Sequence, residues 1–305
     1  MSTYSRRDLL KNGSAALLYG GAFLRSRRLA AQTLGLPLGL QLYSVRDVLP
    51  TDYEGTLKQI SALGYREVEA AGFYNHNATQ VKQAMQNSGL HCVSAHYSYD
   101  NLYQQFDQVI AFNKELGVSY IICSFPGRKN PSQSKAADHQ NHGAMFTLED
   151  WRWNAEQLNQ MGEKVSAAGM KFGYHNHTME FQEQDGVVPY VELLRLTDPA
   201  KVTMEMDCGW VVVGGGDPIE YLKRYPTRFS MLHVKDFKLT SNAASMTRRP
   251  PSAELGQGTI DYAPIFQEAA KTGHIKHCFV EQEEYDTPHM QALKIDAEYM
   301  QKLNA

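Results

Sequence analysis

The chain has 305 residues, of which 43% are hydrophobic, and a formal charge of −3 at pH 7. That length suits one large α/β domain of roughly 250 residues, and the near-neutral charge argues against a protein built mainly for nucleic acid, which needs a basic footprint. Cys92, Cys123, Cys208 and Cys278 lie far apart with no CxxC pair, so neither a thiolate zinc site nor a redox dithiol is expected. They read as unpaired, buried, small apolar residues.

In chain order, residues 1–33 stand apart from the fold. "SRRDLLK" (Ser5 to Lys11) precedes the short, mildly apolar "NGSAALLYGGAFL", and the charged "RSRR" (25–28) follows. The apolar part is too short to span a bilayer comfortably as a mature helix and suits an export signal. The arginine pair resembles the twin-arginine signal S/T-R-R-x-F-L-K, with Leu9 in place of Phe. "LAAQ" (29–32) fits a small-residue cleavage site loosely. The resemblance implies recognition by the twin-arginine export machinery, a periplasmic or exported location, and no stable membrane span after processing. A basic tail with no targeting role is the alternative.

Residues 34–305 are read as one domain. Short apolar runs alternate with amphipathic segments: "LGLQLYS" (38–44), "YREVEAA" (65–71), "LHCVSAHY" (90–97), "VSYIICSF" (118–125), "MKFGYHN" (170–176), "KVTMEMD" (201–207), "RFSMLHVKD" (228–236) and "HIKHCFVEQE" (274–283). Segments with helical spacing lie between them, such as 53–64, 101–117, 151–169 and 290–303. Gly64, Gly89, Gly117, Gly169 and Gly273 stand where C-caps belong, just before the next strand. Eight strand–helix repeats predict a (β/α)8 TIM barrel. A doubly wound open sheet is the alternative, but no GxGxxG follows the first strand. The long polar connections 126–147 and 237–258 follow strands and would hang over the C-terminal mouth, as lids or as plain insertions.

The stretch "YHNHTMEF" (174–181) places His175 and His177 two apart at the end of the fifth apolar run, so that they are expected on one face of the strand with Asn176 opposite. It is one of a set. Strand six ends in Glu205-Met206-Asp207, strand seven reads His233-Val234-Lys235, and strand eight reads Glu281-Gln282-Glu283. A helix-covered face does not readily accept a row of ions, so these doublets are expected to face the barrel axis. Burying several unpaired charges costs kilocalories each, and a divalent cation bound by Asp, Glu and His offsets that cost. Any one of these residues alone is more simply a hydrogen-bonded or salt-bridged structural group; the joint pattern on four neighbouring strands points to a metal site.

"YHNHTMEF", "MEMDCGW", "LHVKDF" and "CFVEQEEYDTP" together resemble the sugar phosphate isomerase/epimerase family with the xylose isomerase-like TIM barrel, in the family's order and over nearly all of residues 36–303. The resemblance implies one divalent metal ion (manganese, zinc or magnesium) held by Asp207, His233 and Glu281. The fifth-strand position, usually a glutamate in that family, falls on His175, with His177 and Glu180 as alternatives for the fourth ligand. Paired histidines in this strand are more similar to inosose dehydratases and enzymes of 3-keto-glycosides than to ketose epimerases. By register, Gln41, Tyr43, Glu69, His96 and Glu283 are expected near the mouth as sugar-binding groups, with Trp210 offering an apolar face; each is equally readable as packing.

A metal-bound carbonyl and neighbouring hydroxyl acidify the C–H between them and favour an enediolate. His177 is expected to take that proton, Lys235 to stabilise the oxyanion, and Glu180 to be the reserve acid or base. Three functions fit: a metal-dependent sugar isomerase or epimerase, a lyase performing β-elimination on a keto-sugar, 3-keto-glycoside or inosose, and a non-catalytic sugar-binding barrel.

Overall fold

The alternation of apolar runs and amphipathic segments closes on itself in the computed structural model, which describes residues 34–130, 146–239 and 249–303. The strands are β1 (Gly39–Gln41), β2 (Glu67–Ala70), β3 (His91–Ser98), β4 (Tyr120–Phe125), β5 (Lys171–His175), β6 (Val202–Asp207), β7 (Phe229–Val234), β8 (Asp236–Phe237), β9 (Ser252–Ala253) and β10 (His277–Val280). The helices are α1 (Tyr53–Ala62), α2 (Ala78–Ser88), α3 (Tyr99–Leu116), α4 (Leu148–Ala167), α5 (Pro189–Leu196), α6 (Cys208–Val213), α7 (Pro218–Arg224), α8 (Tyr262–Thr272) and α9 (His289–Leu303). Eight parallel strands form a closed barrel in the order β1-β10-β7-β6-β5-β4-β3-β2, while β8 and β9 make a separate antiparallel ribbon. This is a (β/α)8 TIM barrel. Residues 1–33, with the twin-arginine motif, lie outside the described residues.

Local chemistry sets the boundaries. Asn77 and Gln80 form a capping box at the start of α2, and Thr147 with Asp150 does the same for α4. Gly89, Gly117 and Gly273 end their helices in the left-handed region, at φ 69°, 91° and 65°, which a side chain would strain.

Alternate strand residues serve two cores. Leu40, Val68, Ala95, Ile121, Phe172, Met204, Leu232 and Val280 belong to the large cluster between sheet and helices. A second cluster, Val93, Tyr120, Ile122, Met231 and Phe279, plugs the barrel interior. Gly173 is part of that fit: a Cβ there would lie 2.6 Å from Ile122 Cδ1 and 3.1 Å from Thr203 Cγ2. Above the plug the interior turns polar, and there the charged doublets converge. All four cysteines are buried and unpaired. No helix among the described residues is long and apolar enough to cross a membrane.

Candidate functional site

Strand register brings the doublets together. Asp207 pairs across with His233, His175 with Glu205, and Glu281 follows β10 with its N–H bonded to Val234 O at 3.0 Å. His175, Asp207, His233 and Glu281 are all buried, and each offers one ligand atom within 4.8 Å of the others. His175 Nε2 lies 4.0 Å and His233 Nδ1 3.9 Å from Asp207 Oδ2, and His233 Nδ1 is 3.0 Å from Glu281 Oε2. Ligands about 2.1 Å from one ion sit roughly 3 to 4 Å from each other, so two imidazoles and two carboxylates at these spacings fit a divalent cation. Asp207 Oδ2 is buried, with the Lys235 ammonium 3.1 Å away and no hydrogen bond closing it off from the shared centre.

A second ring of polar groups supports the first from below. Glu205 Oε2 takes His175 Nδ1 at 3.0 Å and His96 Nε2 at 2.7 Å; Glu69 Oε1 takes His233 Nε2 at 2.7 Å and His96 Nε2 at 2.8 Å. Each of these two candidate ligand histidines thus turns one nitrogen to a supporting carboxylate and the other to the centre, the arrangement that fixes tautomer and ring angle at a metal site. Burial opposes charge on His96, but Glu69 and then Glu205 outweigh it and hold its pKa at about 9. Burial, with His233 nearby, drives His175 well below the usual imidazole range, so it stays neutral with a lone pair to give. Gln41 Nε2 and Ser94 Oγ both donate to Glu69. Gln41 and Glu69 are fully buried in this support, which corrects their expected place among the sugar-binding groups.

Lys235 is also placed differently from expectation. Its ammonium sits 3.1 Å from Asp207 Oδ2, 2.9 Å from Glu281 Oε2 and 2.5 Å from Glu283 Oε1, and is 2% exposed. Burial works against its charge, but Asp207, Glu281 and Glu283 hold its pKa above the ordinary lysine value. It balances the carboxylates of the cluster rather than pointing freely at a substrate oxygen. Trp210 is 5% exposed, with Lys235 Nζ 4.7 Å and the Arg249 guanidinium 5.2 Å from its ring centre. It is largely buried and borders the cavity with these two cations close to its ring. Arg249 also pairs with Glu283 at 2.9 Å.

β5 ends at His175, so His177 stands on the loop beyond it. It still borders the site, its ring centre 5.0 Å from that of His175 and 6.4 Å from that of Trp210. Glu180 is turned away from the ligand cluster, a correction to its expected reserve role. Its carboxylate accepts from Tyr174 OH at 2.6 Å and from the His177 N–H at 3.0 Å, clamping the turn that presents His177. Burial pushes its carboxyl up to about 7. A cavity of about 850 Å³ opens above the cluster, lined among others by Tyr43, His96, His175, His177, Trp210 and Glu283.

A family model described as "Xylose isomerase-like TIM barrel" matches residues 57–303. The chain belongs to the xylose isomerase-like TIM barrel family. An inosose dehydratase of Clostridium botulinum (strain Alaska E43 / Type E3) is 25% identical over 250 residues, covering 76% of this chain and 82% of that one. The crystal structure of a sugar phosphate isomerase/epimerase from Parabacteroides distasonis ATCC 8503 is 26% identical, with a TM-score of 0.71 over 88% of this chain and 98% of that one. An IOLI protein solved with a bound zinc atom, 13% identical with a TM-score of 0.68 over 88% and 98%, shares the fold.

In this member of the xylose isomerase-like family, several site residues have roles that the sequence pattern does not carry. Glu205 was visible as half of a strand-six doublet, but its bonds to His96 and His175 need the register of β3, β5 and β6. Ser94 carried no signal. Asn176, between the two histidines, has its side chain bonded to the backbone of Asp207 at 3.1 and 3.2 Å, tying the ends of β5 and β6 together.

Proposed function

We propose that this enzyme is a metal-dependent dehydratase acting on a keto-sugar or keto-cyclitol, with His175, Asp207, His233 and Glu281 as the ligands of one divalent ion. The observation that carries the reading is the convergence of those four donor groups below an open cavity, with His177 at the rim. The matched inosose dehydratase, which spans most of both chains, supports water loss as the outcome.

A divalent ion held there supplies Lewis acidity to a substrate carbonyl and its neighbouring hydroxyl. The chain's own residues do the rest. His177 takes the proton from the carbon beside the carbonyl, and the imidazolium so formed returns it to the hydroxyl leaving the next carbon. One C–H and one C–O bond break, a C=C bond forms, and water departs. Glu180 holds the His177 N–H, so the base enters at a fixed angle. The Glu69–His96–Glu205 ring keeps both ligand imidazoles aimed upward, and Lys235 offsets the charge of Asp207, Glu281 and Glu283.

A second outcome at the same site is isomerisation or epimerisation, favoured by the isomerase/epimerase structure at 26% identity. The proton then returns to carbon and no water leaves. Incubation of the metal-loaded protein with an inosose and with 3-keto-glycosides, followed by mass spectrometry and ultraviolet absorbance, separates the two. From the inosose a dehydratase yields a conjugated enone lighter by one water, and from a 3-keto-glycoside the same β-elimination breaks the C1–O bond and releases the aglycone as its alcohol. Conversion without mass change assigns the isomerase reading, and no conversion of any ketone in the panel defeats both.

A further inference from the structure

We propose that the mouth continues into a second subsite, an aromatic cleft beside the first turns of α3, that holds a further neutral sugar ring, so that a ring carrying a glycosidic substituent is bound more tightly than a lone ring. This rests on the sugar-directed reading above and adds the substrate class.

The cleft has a volume of about 560 Å³ and shares Ser98 and Phe125 with the mouth cavity. Phe125 joins the two spaces: its ring centre is 6.2 Å from that of His177 and 6.0 Å from that of Phe146. The mouth alone is already on the scale of pockets that take drug-sized ligands, and the two spaces together exceed what one six-membered ring fills. Tyr99, Tyr103 and Trp153 furnish the cleft, with ring centres 5.9 Å apart for Tyr99–Tyr103 and 5.0 Å apart for Tyr99–Trp153.

Exposure singles out the same place. Among the described residues, the exposed large hydrophobics are Tyr43, at 41%, and Tyr103, at 71%. Tyr43 lines the mouth and Tyr103 lines the cleft. Helix α3 is also broken here, at Gln105, where φ −133° and ψ 29° leave the helical region. The segment before the break gives Asn101 to the mouth and Tyr99 and Tyr103 to the cleft, while Gln105 itself lines the mouth. Amides beside aromatic faces suit a sugar ring, whose hydroxyls need hydrogen bonds and whose C–H face needs an apolar platform.

The charges favour a neutral occupant. Arg128 and Lys129 border the cleft, but Asp100 lines it too and Lys129 pairs with Glu149 at 2.6 Å. In the mouth, Arg249 pairs with Glu283, and Arg46 lies over Tyr43 and donates to Glu283 O. Among the described residues lining the two spaces, the cations of the mouth are committed to these partners.

The test is equilibrium binding of non-reactive sugars to the metal-loaded full chain by calorimetry, with glucose, glucose 6-phosphate and two glucose disaccharides, cellobiose and trehalose, on wild type and Tyr103→Ala. At least one disaccharide is expected to bind ten-fold or more tighter than glucose. In Tyr103→Ala that advantage should shrink to about two- to three-fold, with glucose binding unchanged. If neither disaccharide gains over glucose, or the gain survives Tyr103→Ala, the subsite is wrong while the sugar-directed reading stands. If the phosphate gains and the disaccharides do not, the neutral-ring assignment is wrong. If no sugar binds, the sugar-directed reading falls and the subsite with it.

Discussion

His175 gives Nδ1 to Glu205 Oε2 at 3.0 Å while Nε2 of the same ring faces Asp207 Oδ2 at 4.0 Å. One imidazole therefore spans the supporting layer and the ligand cluster. Partners of this kind typically contribute 10–100-fold to metal affinity. Glu205→Ala is expected to weaken divalent-metal binding by that factor, and Glu205→Gln by about ten-fold, measured by competition with a chromophoric chelator. Wild-type affinity in both variants would remove Glu205 from the support.

The ligands themselves act as a set. Asp207→Ala and His233→Ala are each expected to leave protein that retains the barrel's circular dichroism but carries less than a tenth of the wild-type metal after dialysis. Elemental analysis of the dialysed proteins reads this out. Retention of a full equivalent by either variant would place the ion elsewhere.

His177 is expected to separate chemistry from metal binding. His177→Ala should keep its metal while kcat falls by roughly 10²–10⁴, the contribution of a positioned general base. Loss of metal together with activity would instead make His177 a ligand.

Asp296 gives a pH signature away from the site. It is buried on α9, accepts the Leu255 N–H at 2.7 Å, and its carboxyl is pushed up to about 7 by burial, with Glu254 adding repulsion. Between about pH 4 and pH 7 the folded chain holds a proton that the unfolded chain has released, so stability falls as pH rises through that window. Asp296→Asn keeps the acceptor and removes the titration. It should match the wild type near pH 4 and exceed it by roughly 1–3 kcal/mol at pH 8, seen in paired urea melts. A difference independent of pH would contradict the assignment.

The barrel is legible because apolar runs and amphipathic segments recur along the chain, with glycine stops at five of the junctions, a pattern local to each unit. Strand ends were less so. Residues 42–44 read as strand, yet Leu42–Val45 is a 3₁₀ turn, because the Gln41 side chain accepts the Tyr43 N–H and ends β1. Strand eight was extended to Glu283 but stops at Val280, so Glu281 and Glu283 reach the site from a loop. Within the polar stretch 237–258, the ribbon of β8 and β9 was not foreseen. Asp236 organises that region by accepting the backbone N–H groups of Phe237, Gly256, Gly258, Thr259 and Ile260, and partners some twenty residues away leave no local pattern. The four candidate ligands were visible as period-two ions on neighbouring strands. The roles of Glu69, Gln41 and Lys235 were not, because period two says which side of a strand a residue faces but not how deep in the barrel it ends.

The most direct test of the central claim follows the substrate proton. The metal-loaded protein is incubated with an inosose in deuterated water, and the C–H beside the carbonyl is watched by NMR, with a chelated sample and His177→Ala alongside. Loss of that proton with release of water in the loaded wild type, and its persistence in both controls, is the expected result. Elimination at an undiminished rate after complete removal of the metal, or in His177→Ala, would contradict the account.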